Sequence, residues 1–232
     1  MFSTGKFFSS LMVALPIFAA AVWHNGQPSR LPGPDRVVSG AAVPVAIGPG
    51  MRAWRLTAPD GRFGGLSALA VDRGALVALT DSGVVVRFAP PRAGGTLPFA
   101  LHDLPAGPGS ALRKAWRDSE SLLADRAGLG WWVGFENRHS LWLFDRAFTR
   151  VLAKRSLDVD WPPNRGGEAL VAGARGVMVL PEGGGPAAGG AMVAPAWTAD
   201  ATRLGDGRLV PFSQKRLKRR RVWLSWRVRA SI

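Results

Sequence analysis

Cysteine is absent from this 232-residue chain, so it has no disulfide framework, thiolate metal site or cysteine nucleophile. Histidine is scarce, with three residues, which gives little basis for a paired-histidine zinc site or a serine–histidine–aspartate hydrolase. Gly65-Leu66-Ser67-Ala68-Leu69 begins like a nucleophile elbow but lacks its second glycine. Acids are also few, 16 Asp and Glu against 30 Lys and Arg. The resulting +14 would suit a nucleic-acid binder. However, Lys215, Arg216, Lys218, Arg219, Arg220, Arg221, Arg227 and Arg229 supply eight of those charges in one acid-free stretch. The remainder carries +6, a mildly basic body for which no nucleic-acid partner is expected.

Glycine and proline are plentiful, at 29 and 18 residues, and 47% of the chain is apolar. That composition suits short strands joined by many turns, in a chain long enough to bury a core. At the start, Lys6 precedes an apolar run from Phe7 to Val22, and Ala19-Ala20-Ala21 offers small residues for cleavage. The run contains Pro16 and falls short of the ~20 residues of a spanning helix. Residues 1–21 therefore read as a signal peptide, and the protein as exported, periplasmic or secreted. Residues 22–58 are rich in Pro, Gly and Ala and are expected to form an irregular lead-in.

Beyond them the sequence repeats. Leu66–Asp72, Ala75–Thr80 and Val84–Phe88, with turns at Arg73-Gly74 and Asp81-Ser82-Gly83, predict a three-strand meander. A second copy runs through Glu120–Asp125, Trp131–Phe135 and Ser140–Phe144. A third begins at Glu168–Ala172 and Gly176–Leu180, and a fourth at Asp200–Leu204 and Gly207–Val210. Repeated meanders of this length predict an all-β fold, a β-propeller over residues 59–210 with about three and a half to four blades visible. A β-sandwich would not require the copies to resemble one another. Trp131, Trp132 and Trp142 fall on strands and are expected to pack between blades.

With the copies aligned on Leu69, Leu122, Leu170 and Thr202, the residues Ser67, Glu120, Glu168 and Asp200 share one position at the start of the first strand. Asp81, Glu136 and Glu182 recur at the end of the second. In an antiparallel pair those two places are neighbours, so Asp81, Glu120, Glu136, Glu168, Glu182 and Asp200 are expected to converge on one rim. Carboxylates so gathered repel unless a cation or protons intervene, and an all-oxygen set suits Ca²⁺ before Mg²⁺. The competing reading is structural: acids that cap turns or pair with Arg138 and Arg165. Asp158-Val159-Asp160 followed by Glu168 hints at an EF-hand loop, but Pro163 and Ala169 stand where that loop needs Gly and Glu.

Several strings occur together and in order: Gly65-Leu66-Ser67-Ala68-Leu69-Ala70, Thr80-Asp81-Ser82-Gly83, Asp118-Ser119-Glu120-Ser121-Leu122, Phe135-Glu136-Asn137 ahead of Leu143-Phe144-Asp145, and Asn164-Arg165-Gly166-Gly167-Glu168. Over about residues 60–210 the chain resembles the phytase-like family of exported bacterial proteins, also described as esterase-like activity of phytase. The resemblance implies a β-propeller. By analogy with alkaline phytases it also implies metal-assisted hydrolysis of a small-molecule ester or phosphate ester, and it transfers no catalytic positions. Under that reading Arg138 and Arg165 would hold the phosphate; the alternative is a non-catalytic binding module of the cell envelope.

After Val210 the pattern stops, and residues 211–232 read as a basic tail left by truncation or a frameshift. A genuine tail able to bind anionic surfaces and a dimer that completes the ring are the other expectations.

Overall fold

In the computed structural model the described residues are 32–46, 52–163, 165–173 and 176–189, with backbone alone at 193–194, 198–203, 209–213 and 223–226. Residues 1–21, read as a signal peptide, and the basic run 215–221 lie outside them.

The apolar runs become strands and the glycine-marked positions become turns. In chain order the strands are β1 (Arg36–Val45), β2 (Arg52–Thr57), β3 (Leu66–Asp72), β4 (Ala75–Thr80), β5 (Val84–Phe88) and β6 (Gly95–Asp103). A four-residue helix, α1 (Lys114–Arg117), leads to β7 (Ser119–Ala124), β8 (Gly130–Phe135), β9 (Ser140–Asp145) and β10 (Val151–Ser156). Next come β11 (Gly167–Gly173), β12 (Gly176–Pro181) and the short pair β13 (Gly185–Pro186) and β14 (Val193–Ala194). The described strands end with β15 (Thr198–Arg203), β16 (Leu209–Ser213) and β17 (Trp223–Trp226).

Antiparallel meanders β3 to β6 and β7 to β10 form two four-strand blades. The pairs β11–β12 and β15–β16 begin two more, and the first strands β3, β7, β11 and β15 lie side by side in series. Meanders stacked in this way, first strand beside first strand, make an incomplete β-propeller.

Each blade is thin, so its strands bury both faces. On β4, Leu76 and Ala78 point into a core with Val84, Val86, Phe88, Phe99 and Leu101, within the curl of the first sheet. Val77 and Leu79 point the other way, against Trp131, Val133, Phe135, Trp142 and Phe144 of the second blade. Trp131 thus packs toward the first blade. Trp132 turns the opposite way, joining Leu141, Leu170 and Val179 between the second and third blades. All three strand tryptophans serve blade packing, Trp131 and Trp142 buried and Trp132 partly so.

Polar bonds stitch the same joints. The Ser67 hydroxyl donates to the Ser119 carbonyl at 2.5 Å, and the Ser121 hydroxyl to the Gly167 carbonyl at 2.7 Å. Asp72 accepts from Arg87 at 3.2 Å and from Arg146, which ties the first blade to the second.

The lead-in differs from its expected irregular form. Residues 36–45 and 52–57 are β1 and β2, which extend the first sheet in the order β17-β2-β1-β6-β5-β4-β3. Pro44 is tolerated because pairing with β6 ends at Ala42, so its missing N–H falls where no neighbouring strand needs it. Gly40 serves a close approach: a Cβ there would lie 2.2 Å from the Thr57 carbonyl oxygen and 2.4 Å from the Phe99 ring. An ion-pair chain anchors the strand, with Arg36 to Asp60 at 2.7 Å, Arg62 to Asp60 at 3.2 Å and Arg62 to Asp103 at 3.0 Å. Burial alone would raise the Asp60 pKa, but hydrogen bonds from Arg36 and Arg62 hold it well below the usual carboxylate range.

The expected break at Val210 also differs. β16 continues to Ser213, and β17 pairs with β2, Trp223 opposite Arg55 and Trp226 opposite Arg52. Alternation ends β16 too early, at Val210, because Pro211 interrupts it, and gives no sign of β17, which is four residues long.

If β1 is a core strand, Gly40→Ala will destabilise the fold by about 1–3 kcal/mol through overpacking. Val37→Ala, at a side chain 70% exposed, will shift it by no more than about 0.5 kcal/mol. Urea midpoints of the two variants make the comparison, and equal midpoints would return residues 36–45 to an irregular lead-in.

Candidate metal centre

One irregularity recurs in the first strand of every blade. Pairing with the second strand shifts between Leu66 and Ala68, between Ser119 and Ser121, and between Gly167 and Ala169. The extra residue of each bulge is Ser67, Glu120 or Glu168. Just past the second strand, the backbone N–H of Asp81, Glu136 or Glu182 donates to the carbonyl of Gly65, Asp118 or Gly166, at 2.8, 2.8 and 3.0 Å. In these three blades the residue leaving the second strand is thus set beside the bulge of the first. Glycine before the bulge makes room for the neighbouring acid, since a Cβ on Gly65 would lie 2.6 Å from Asp81 Oδ1. Gly65 also has φ +58°, a conformation that favours glycine.

Two sets of carboxylates result. Asp118, Glu120 and Glu136 offer oxygens that all lie within 4.8 Å of one another, and so do Glu136, Glu168 and Glu182. Glu136 is buried and belongs to both sets, joining the second blade to the third. Lys114 Nζ sits 2.8 Å from Asp118 Oδ1 and 3.3 Å from Asp81 Oδ2. The Asn137 amide donates to Asp118 Oδ2 at 2.8 Å.

Of the six acids expected to converge, Glu120, Glu136, Glu168 and Glu182 do so. Asp81 stands outside both sets and is held through Lys114. Asp200 is displaced by one position: in β15 the pairing shifts between Thr198 and Asp200, so Ala199 occupies the bulge. Alignment on the leucine anchors could not see this, because Thr202 replaces leucine in that copy. The Asp200 side chain lies outside the described residues. Arg138 and Arg165 are both exposed; Arg138 lies over Trp116, and Arg165 runs beside Gly183, next to Glu182. Sequence comparison missed Asp118, Lys114 and Asn137. Asp118 is hidden because the equivalent residues are Gly65 and Gly166, so the copies give it no recurring acid. Lys114 had a faint signal, the i,i+4 spacing to Asp118.

Burial and mutual repulsion set the electrostatics. Burial, followed by the charges of Glu182, Glu136 and Asp118, pushes Glu168 up to about 8. Burial and Asp118 push Glu136 up to about 7, against the lowering pull of the Gly166 N–H. Burial, with Glu168 and Asp118, raises Glu120 well above the usual range. At neutral pH these groups need protons or a cation, and the donors are all hard oxygens. The set fits a metal ion such as Ca²⁺ or Mg²⁺ and offers nothing to a thiophilic one.

A family model described as phytase-like, esterase-like activity of phytase, matches residues 61–223 and so runs past Val210, where the resemblance had been placed to end. No curated protein matches the sequence. Among solved structures, the crystal structure of Kluyvelomyces marxianus Hsv2 is similar at 9% identity and a TM-score of 0.33, over 66% of this chain and 44% of that one. This chain therefore spans less than half the length of that protein, and so distant a likeness adds nothing to the assignment.

The raised carboxyls make the metal-free protein weaken as pH rises. In the unfolded chain these glutamates lose their protons near 4.5, whereas in the native state Glu136 and Glu168 keep theirs to about 7 and 8. Between those values the native state binds more protons, so unfolding free energy falls with pH. Asp60 and Asp145, whose pKa values are lowered, act only at more acid pH. Urea unfolding in chelator should give a lower midpoint at pH 8 than at pH 5.5, and added Ca²⁺ should narrow the gap. A midpoint that rises with pH in chelator would contradict the crowding.

Proposed function

The chain belongs to the phytase-like family, and from that premise we propose that it is a metal-dependent esterase or phosphoesterase working at one rim of its propeller, with Ca²⁺ as the ion. The observation that supports this most is the sharing of Glu136 between two carboxylate sets drawn from adjacent blades. Asp118, Glu120, Glu136, Glu168 and Glu182 would hold the ion. When bound, a hard cation supplies Lewis-acid polarisation of the ester oxygen and a water of lowered pKa. The chain's own groups do the rest. Lys114 and Asn137 fix the two oxygens of Asp118, so that carboxylate is oriented before substrate arrives. Backbone closure at residue 136 keeps Glu136 from swinging away. If the ester is a phosphate, Arg138 and Arg165 supply cationic donors next to the acids in sequence.

A non-catalytic binding module is the second reading. It is favoured by Lys114, which pairs with both Asp81 and Asp118 without any added ion. Export is also proposed from residues 1–21, and N-terminal sequencing of protein recovered outside the cytoplasm should begin near Val22.

Turnover of p-nitrophenyl phosphate and p-nitrophenyl acetate, each in Ca²⁺ and in chelator, decides between the two readings. Glu168→Gln and Glu120→Gln should each remove the metal-dependent part of the rate and the Ca²⁺-induced rise in unfolding midpoint. In chelator at pH 8 both should unfold at a higher midpoint than the parent protein, because glutamine needs none of the proton uptake that burial and the neighbouring carboxylates impose on the glutamate as the chain folds. Undiminished metal-dependent turnover in both variants would overturn the mechanism. A Ca²⁺-raised midpoint without turnover would leave the binding module.

A further inference from the structure

The joint between the second and third blades has a counterpart one blade earlier. At the later joint, Glu136 leaves the second strand of one blade and meets Glu168 at the next blade's bulge and Glu182 past its second strand, with oxygens all within 4.8 Å. At the earlier joint those three positions carry Asp81, Glu120 and Glu136. The repeat therefore writes a second acidic triad between the first and second blades. Among the described residues that triad does not gather, because Asp81 belongs to neither carboxylate set.

Lys114 stands at this joint instead. Its Nζ lies 3.3 Å from Asp81 Oδ2 and 2.8 Å from Asp118 Oδ1, so one ammonium bridges an acid of the first blade and an acid that leads into the second. The lysine side chain is 22% exposed, which makes this an enclosed contact and not a surface pair screened by solvent. Burial alone would lower the Lys114 pKa, but Asp118 and Asp81 hold it above the usual lysine value, so the ammonium is a fixed positive charge. Its field extends to Glu136, where it opposes the rise that burial imposes.

The lysine enters together with Asp118. At the later joint Gly166 takes the place of Asp118, and four residues ahead of it, where Lys114 would fall, stands Pro162. One copy thus carries both an extra acid and an extra cation. An ammonium is a compact point charge with three donors, able to hold carboxylates from separate elements as a hard cation would. Unlike a metal ion it is not removed by a chelator and does not activate a water.

We propose that Lys114 fills the cation position of the joint between the first and second blades, so that the centre accepts one divalent ion instead of two. The proposal rests on the metal-centre reading for that one ion, and it makes Lys114 the residue that selects a one-metal over a two-metal site.

Calorimetric titration of Ca²⁺ into the full chain near neutral pH tests this. The parent protein should take up one Ca²⁺ per chain. Lys114→Met, similar in length but uncharged, should take up two, and adding Asp81→Asn to it should return the count to one, because Asp81 serves only the second position. Lys114→Arg, which keeps the charge, should stay at one. Loosened packing would weaken ion uptake and would not add an ion, so the count separates the lysine's charge from a purely structural role. One ion in Lys114→Met, or two in the parent protein, overturns the proposal. If Lys114→Met does not unfold cooperatively, Lys114→Gln decides: two ions support the lysine's role, and one removes it. The metal-centre reading fails separately. No uptake by the parent protein with one ion in Lys114→Met removes that reading and leaves Lys114 as the resident cation, whereas no uptake in either removes both.

Discussion

A single backbone arrangement, repeated blade by blade, underlies the site: a bulge near the start of the first strand, closed by an N–H to carbonyl bond from the residue leaving the second. Regular pairing would send successive side chains to opposite faces. The bulge breaks that alternation and re-aims one side chain, and the closing bond brings a second beside it. In the first blade the bulge residue is Ser67, whose hydroxyl joins the blade to Ser119. In the second and third blades the same position carries Glu120 and Glu168. The geometry that serves as a joint in one copy gathers charge in the next two.

Gathered charge persists only if the backbone cannot yield. Here β4, β5, β8 and β9 bury both faces, and Val77, Val133 and Phe144 are fully enclosed between blades. Close packing of that kind transmits strain instead of absorbing it, so the carboxylates cannot drift apart to relieve repulsion. Lys114 compensates one end of the group, at Asp118 and Asp81. Its pull on Glu136 is outweighed by burial and Asp118, and Glu168 feels only other carboxylates, so burial and repulsion hold protons on both up to near-neutral pH.

Much of this was legible in the sequence because the repeats carry it. Strand spacing and the recurrence of acids at two positions located Glu120, Glu136, Glu168 and Glu182 without coordinates. The reading failed where a copy departs from the pattern. Asp118 stands where the other copies have glycine, and Asp200 misses the bulge because its blade pairs one residue out of step. β1 was hidden for a different reason. Gly40 and Pro44 read locally as loop residues, and only the ring of Phe99 and the early end of β6 pairing, both contacts distant in sequence, explain their place in a strand.

The scarcity of acid in this chain gives the cluster its meaning. Most described acids elsewhere have local partners: Asp60 with Arg36 and Arg62, Asp72 with Arg87 and Arg146, and Asp145 with Thr149 and Arg150. Where such partners shift a pKa, as at Asp60 and Asp145, the shift is downward against burial. Glu120, Glu136 and Glu168 shift upward, because burial dominates and their nearest charges are other carboxylates. A fold selected for stability alone would gain by replacing one of them with glutamine. In a basic protein with arginines to place, three mutually repelling glutamates gathered from two adjacent blades fit the hard cation proposed above, whose charge would take the place of the protons that burial otherwise holds on them.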